Sequence, residues 1–339
     1  MNAKMQYLMI GAICLLLLVT SCRRLPVAPP TVKPSITPTP RSTALPPIPT
    51  SIPLGTTSNP VHIVFVVSQD NQSQATPDSN ATAEPSAAST ASDLEKALLG
   101  STQINVKVDV VTSDADALTA LCASPKGTVS AAWMGGLSYA AAFAQNCGSA
   151  ALEVQRGSGA SANTGDAARI ISASADINAV ADLAKHTYCR LGYTDMYSWL
   201  LPSLMIHNAG IGESDLKAIN DYTDASQMID DVVGGKCDAA GISASQFDTL
   251  ASASAKAAVH SLQQSVSVPF DVLVFPPLLP LAQQQELTTA LMAIAGGKQA
   301  NLLKSLLNQD AVVAASDSDL SGLRTFISGA GIDLAQAGN

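Results

Sequence analysis

Histidine is sparse in this chain of 339 residues: His62, His186, His207 and His260 stand far apart, and neither a paired-histidine nor a Cys-x-x-Cys spacing occurs. The common zinc arrangements are thereby excluded, and no metal or cofactor is expected. The Gly-x-Ser-x-Gly elbow, the Walker loop and the His-Glu-x-x-His helix are also missing. Ser214 and Lys217 match Ser-x-x-Lys, but Ser214 is expected to cap a turn before a strand, and a nucleophile here would be short of a base. An enzyme is not expected. Charge is scarce too: DEKR residues make up 13%, and 18 basic against 27 acidic side chains leave a net charge of −9. That sign is wrong for a protein that holds a nucleic-acid backbone, so no nucleic-acid partner is expected. Apolar residues are plentiful at 47%, while 22 Gly and 19 Pro are too few for a fibrous repeat, so the chain can build a buried core.

The apolar stretch near the N-terminus runs from Tyr7 to Val19 after the basic Lys4 and ends at Thr20-Ser21-Cys22. Roughly 20 residues are needed to span a bilayer, so this shorter run reads as a signal peptide over residues 1–21. Leu18-Val19-Thr20-Ser21-Cys22 resembles a bacterial lipobox, which implies cleavage before Cys22 and a diacylglycerol anchor on its thiol. Residues 22–60 follow as a tether rich in Pro, Thr and Ser; after Cys22 it carries four basic residues and no acidic ones. At about 3.1 Å per residue in polyproline-II geometry, such a tether reaches on the order of 100 Å. The body is therefore expected outside the cytoplasm, attached to the cell membrane. With Cys14 and Cys22 set aside, Cys122, Cys147, Cys189 and Cys237 remain. Four cysteines in an oxidising compartment suggest two disulfides, with three pairings open.

From residue 61 onward strand-like and helix-like runs alternate. Strands are predicted over residues 61–67, 104–111, 128–133 and 151–155, and again over 170–172, 187–191, 216–221 and 238–242. Helices are predicted from Asp114, as a cap, to Leu121, over 137–144, near 199–209 and 224–233, and through much of 281–327; residues 69–89 read as a flexible excursion. Alternation of this kind predicts an α/β fold of two lobes, each a mixed, mostly parallel sheet flanked by helices. Ligands bind such sheets at the carboxyl ends of the strands. Three turns have a fitting composition: Ser68-Gln69-Asp70, the stretch 133–139, and the stretch 192–199. In the last, Pro202 belongs in a first helical turn, which makes Ser198 the expected N-cap, and Tyr193, Tyr197 and Trp199 crowd the same turn.

With these pieces in order, the chain resembles a type 2 periplasmic solute-binding protein of the phosphate/phosphonate (PhnD-like) branch of ABC-transporter receptors. The resemblance rests on Ala132-Trp133-Met134-Gly135-Gly136-Leu137-Ser138-Tyr139-Ala140-Ala141-Ala142, on Asp182-Leu183-Ala184-Lys185, on Trp199-Leu200-Leu201-Pro202 with Ala209-Gly210-Ile211, and on Gly235-Lys236-Cys237-Asp238-Ala239-Ala240. It implies a first lobe over residues 61–168, a second over 169–271 and a return to the first over 272–339, with crossings near 168–172 and 270–275. Chain order then pairs Cys122 with Cys147 and Cys189 with Cys237, one disulfide in each lobe. It also implies that Tyr139 and Asp238 line the cleft. The ligand-binding set expected on these grounds is Ser68, Trp133, Gly135, Gly136, Ser138, Tyr139, Arg190, Tyr193, Thr194, Asp195, Tyr197, Ser198, Trp199 and Asp238.

The sequence departs from that family at the helix start of the second lobe. Relatives that bind phosphonate present Ser-Thr-Ser-Gly there, where this chain has Asp195-Met196-Tyr197-Ser198, and their histidine is replaced by Ala225. A carboxylate beside a phosphonate repels it, and Arg190 is the one cation expected nearby. The expected solute is therefore a neutral or cationic organic molecule, trapped as the 193–199 turn closes on the first lobe and passed by a monomeric receptor to an ABC permease. A surface sensor or interaction module of the same fold is the alternative. Neighbouring genes for a permease or for a histidine kinase would separate the two.

Overall fold

The computed structural model describes residues 52–67 and 86–331. The lipid site expected at Cys22, the tether expected to follow it as far as residue 51, and Ser68 with Gln69 and Asp70 lie outside the described residues.

The apolar run at the start of the body becomes β1 (Val61–Val66). It is followed by α1 (Ala87–Thr102), β2 (Val106–Val111), α2 (Asp114–Cys122), β3 (Ser130–Met134), α3 (Gly136–Ala144) and β4 (Ser149–Gln155). β1 pairs parallel with both β2 and β3. Val61, Ile63 and Phe65 point into one helical layer with Leu94 and Leu98, while Val64 points into the other with Leu118 and Leu121. Burial on both faces is the reason β1 reads as a continuous apolar run rather than an alternating one.

The chain then leaves this lobe through β5 (Gly165–Asp166) and builds a second sheet. Its members are β6 (Ala168–Ser172), β7 (Thr187–Arg190), β8 (Ala218–Asp221), β9 (Ala239–Ser243) and β10 (His260–Gln264), in the order β10-β6-β9-β7-β8. The helices of this lobe are α4 (Leu201–Asn208), α5 (Ala225–Val233), α6 (Ala244–Leu250) and α7 (Ala253–Ala258). One face of the sheet packs on Trp199, Leu201 and Met205, and the other on Met228, Ile229, Val232 and Phe247. β11 (Val268–Pro269) leads back, running antiparallel to β5. These two short strands form the double crossing. The stretches 168–172 and 270–275, where the crossings were expected, mainly supply sheet strands a few residues further on.

β12 (Val272–Phe275) re-enters the first sheet between β3 and β4 and runs antiparallel to both. After α8 (Leu281–Ala295) and α9 (Ala300–Leu307), β13 (Ala311–Ala314) closes that sheet in the order β13-β4-β12-β3-β1-β2. The two large sheets therefore contain four parallel and five antiparallel pairings among the described residues, fewer parallel ones than alternation alone predicts. The difference arises because β12 comes from the other lobe and needs no helical crossover before it pairs. The last helix among the described residues, α10 (Ser321–Gly329), touches both lobes: Leu323 and Ile327 join the core around Leu201 and Met205, and Arg324 lies over Phe143 of α3. Disulfides join Cys122 to Cys147 and Cys189 to Cys237, the pairing implied by chain order. Among the described residues no helix is long and apolar enough to cross a membrane.

Candidate functional site

Parallel strands end on the same side of their sheet, and here the ends of β1, β2 and β3 deliver Val66, Thr112, Ser113, Asp114, Gly135 and Gly136 to one cleft. Arg156 arrives just after β4, and Asp271 just before β12. Phe270 and the β11 pair Val268 and Pro269 form the hinge wall, while Met196 and Tyr197 approach from the second lobe. The cleft encloses about 350 Å³, within the range of small-molecule sites.

On the first lobe, Ser113 rather than Asp114 caps α2, accepting the Asp116 N–H. Asp114 is thereby left to reach across to the next turn, where its Oδ1 accepts the Gly135 N–H at 3.1 Å. A Cβ on Gly135 would sit 2.9 Å from Asp114 Oδ2, and one on Gly136 would sit 2.7 Å from Pro269 Cδ. The glycine pair is thus required by a carboxylate on one side and the hinge strand on the other.

On the second lobe, Asp195 and not Ser198 caps the helix. Its Oδ1 accepts the N–H groups of Tyr197 at 3.1 Å and Ser198 at 2.6 Å. The Leu200 N–H reaches back five residues to the Asp195 carbonyl, so residues 196–200 form one wide π turn before α4 begins. Pro202 falls in the first turn of α4, where its missing N–H costs nothing. The Ser198 hydroxyl is buried and accepts the Leu191 N–H.

Among the residues lining the cleft, one cation, Arg156, stands against two carboxylates, Asp114 and Asp271. Arg156 Nη2 lies 3.6 Å from Asp271 Oδ2, its Nε donates to the Asn308 carbonyl at 3.2 Å, and its guanidinium covers Phe270 at 4.2 Å. Burial lifts the Asp271 carboxyl to about 7; Arg156 pulls it down and Asp114 pushes it further up. Burial also raises the Tyr197 hydroxyl to about 12, with the charges of Asp166, Asp195 and Asp271 adding to the rise against Arg156.

The residues expected at a site separate into distinct places. Gly135, Gly136 and Tyr197 line the cleft, and Asp195 caps the turn that carries Tyr197. Ser138 is half-buried in the first turn of α3. Trp133 is fully buried against Phe65 in the first-lobe core, with its ring N–H unpartnered. Tyr139 is also fully buried. Its hydroxyl donates to Asp317 Oδ1 at 2.9 Å and accepts from Arg324 Nη1 at 2.7 Å, tying α3 to the chain before and within α10. Desolvation, reinforced by Asp317, pushes that hydroxyl well above its usual range. Arg190 pairs with Asp221 at 2.6 Å and lies against the rings of Trp199 and Tyr193, leaving Tyr193 and Thr194 on the exposed outer side. Asp238 precedes β9, at the opposite end of the second sheet from the Tyr197 turn, and accepts the Thr187 N–H at 2.7 Å.

Sequence reading missed Asp114, Arg156, Phe270 and Asp271 as cleft residues. The signal was available for Asp114 and Arg156, which each follow a predicted strand at its carboxyl end. For Asp271 there was none, because it precedes a strand whose antiparallel direction only the fold supplies.

The family described as ABC transporter, phosphonate, periplasmic substrate-binding protein matches residues 75–320. Among solved structures, a Xanthomonas citri protein bound to ATP shares 14% identity at a TM-score of 0.53, covering 81% of this chain and 97% of that one. The Mycoplasma hyorhinis protein Mh-p37 shares 12% at 0.53, covering 79% and 98%. A binding-protein component of an ABC phosphonate transporter from Pseudomonas aeruginosa shares 16% at 0.47, covering 83% and 89%. At such identities the likeness to the first two speaks to the fold alone. A comparison with curated protein sequences finds no match.

Proposed function

The chain belongs to the family of periplasmic substrate-binding proteins of phosphonate ABC transporters, whose members bind solutes outside the cytoplasm and transform nothing, and from that premise we propose a receptor whose solute is not a phosphonate. It is a monomeric lipoprotein, held by Cys22 and its tether, that traps a small organic molecule between its lobes and presents it to a membrane permease. The observation that carries this reading is a carboxylate placed at each of the two helix starts at the cleft. Helix N-termini attract anions because their N–H groups are unpaired and their dipoles positive. Here the Tyr197 and Ser198 N–H groups are taken by Asp195; α3 has no side-chain cap on its first turn, but Asp114 binds the N–H of its cap residue Gly135 and sets a carboxylate beside that turn. A phosphonate would have to displace Asp195 at one start and lie against the Asp114 carboxylate at the other, while the one cleft guanidinium is already engaged by Asp271.

Calorimetric titration of the mature chain tests the proposal. Methylphosphonate and inorganic phosphate are expected to give no binding at millimolar concentration, while at least one organic solute raises the melting temperature, as any ligand selective for the folded state must. Micromolar affinity for methylphosphonate would overturn it. For the anchor, incorporation of labelled palmitate is expected in the full chain and lost in Cys22→Ser.

A further inference from the structure

We propose that the cleft selects an organic cation, an amine or quaternary ammonium held between Asp271 and Asp114 on the first lobe and Tyr197 on the second. This deepens the small-molecule reading of the same cleft and rests on it.

The first support is charge. Of the residues lining the cleft, Asp114 and Asp271 are acidic and Arg156 alone is basic. Arg156 is spread over the Asp271 carboxylate, the Asn308 carbonyl and the face of Phe270. One carboxylate charge in the cavity thus has no cation of its own. Asp195 and Asp166 stand close enough behind Tyr197 to disfavour its ionisation, and they add to the negative field. Asp166 is itself held by the hydroxyls of Ser243 and Ser245, which supply no charge.

The second support is desolvation. Only 20% of the Asp271 side chain is exposed, and its nearest cation is not in tight contact, at 3.6 Å. Its carboxyl already titrates near 7. Closing the lobes over a neutral solute removes more water from this group and returns nothing, whereas an anion adds repulsion; a cation offsets the loss. The Tyr197 and Phe270 rings supply flanking π faces, although that of Phe270 is already partly covered by Arg156.

Cation binding then requires Asp271 to be ionised, so a proton leaves as the cation enters. The groups facing Asp271 are Arg156 from the end of β4, Asp114 from the start of α2 and Tyr197 from the π turn. Tyr197, raised to about 12, stays protonated across the neutral range. A site that must be ionised, with a free value of about 7, binds fully above that pH and loses about tenfold in affinity between about pH 8 and about pH 6.

Calorimetry on the mature chain decides the matter, using choline and putrescine, their uncharged counterparts dimethylbutanol and butanediol, and methylphosphonate. At least one of the two cations is expected to bind ten times or more tighter than its uncharged partner, weaken about tenfold at the lower pH, and lose that pH slope in Asp271→Asn. Should Asp271→Asn fail to fold, Asp114→Asn keeps the Gly135 contact and is expected to weaken the cation at least fivefold. Equal binding of the uncharged partners, binding of methylphosphonate alone, or cation binding indifferent to both substitutions would overturn the cation assignment and leave the solute-binding reading standing. If none of these probes binds, nor any solute in a wider organic panel, the solute-binding reading itself fails.

Discussion

The two helix starts that face the cleft solve one problem in different ways. In the second lobe the carboxylate comes from the turn itself: Asp195 caps the N–H groups two and three residues ahead. In the first lobe the turn has two glycines and no side chain to offer, and the carboxylate is borrowed from Asp114, which lies 21 residues earlier. Each device sets a carboxylate at a helix start, although Asp195 alone caps first-turn N–H groups. The difference is in where the information sits: one device is written locally, and the other exists only because β2 and β3 end on the same edge of the sheet, with β1 between them.

The comparison of the lobes can be tested, beginning with their disulfides. Cys189–Cys237 spans a separation of 48 residues and Cys122–Cys147 one of 25. Loop-closure entropy assigns about 4 kcal/mol to the longer link and about 3.5 kcal/mol to the shorter. Replacing each pair by serines is expected to lower the melting temperature in both cases, and further in the second lobe; the reverse order would show that strain or residual structure outweighs loop length. Next in size is Tyr139→Phe. It deprives Asp317 and Arg324 of a buried partner and should cost about 1–3 kcal/mol in chemical denaturation while changing solute affinity less than twofold. Tyr197→Ala is expected to do the opposite, abolishing binding with little loss of stability. The smallest effect is expected from Asp195→Ala, about 1 kcal/mol for a lost cap. Combined with Asp114→Ala, it removes the carboxylate at both helix starts and should make methylphosphonate binding measurable where it was absent.

Much of the fold was legible because each piece rests on a local rule. Continuous apolar runs marked β1, β3 and β9, and Pro202 placed the start of a helix to within a few residues. The short strands β10 and β13 escaped notice: His260–Gln264 has little apolar content, and Ala311–Ala314 is small and sits in a stretch otherwise helical. The site was less legible. Aromatic crowding marked the 193–199 turn correctly as a structured place, yet Trp199 and Tyr193 pack on Arg190, and of that aromatic group Tyr197 reaches the cleft. Side chains two residues apart on a turn point in different directions, and a sequence does not say which direction meets a partner.

By itself, the sequence determined the class of molecule: an apolar, weakly charged α/β body with no catalytic constellation, four cysteines, and a carboxylate where phosphonate-binding relatives carry hydroxyls. These are properties of composition and of neighbours along the chain. Tertiary structure alone decided the character of the cleft. Asp271 becomes a buried acid, Arg156 its engaged partner and Asp114 the neighbour of a distant helix start only after strands from three separate stretches meet at one edge, where proximity and lost water, rather than residue identity, govern how charges behave.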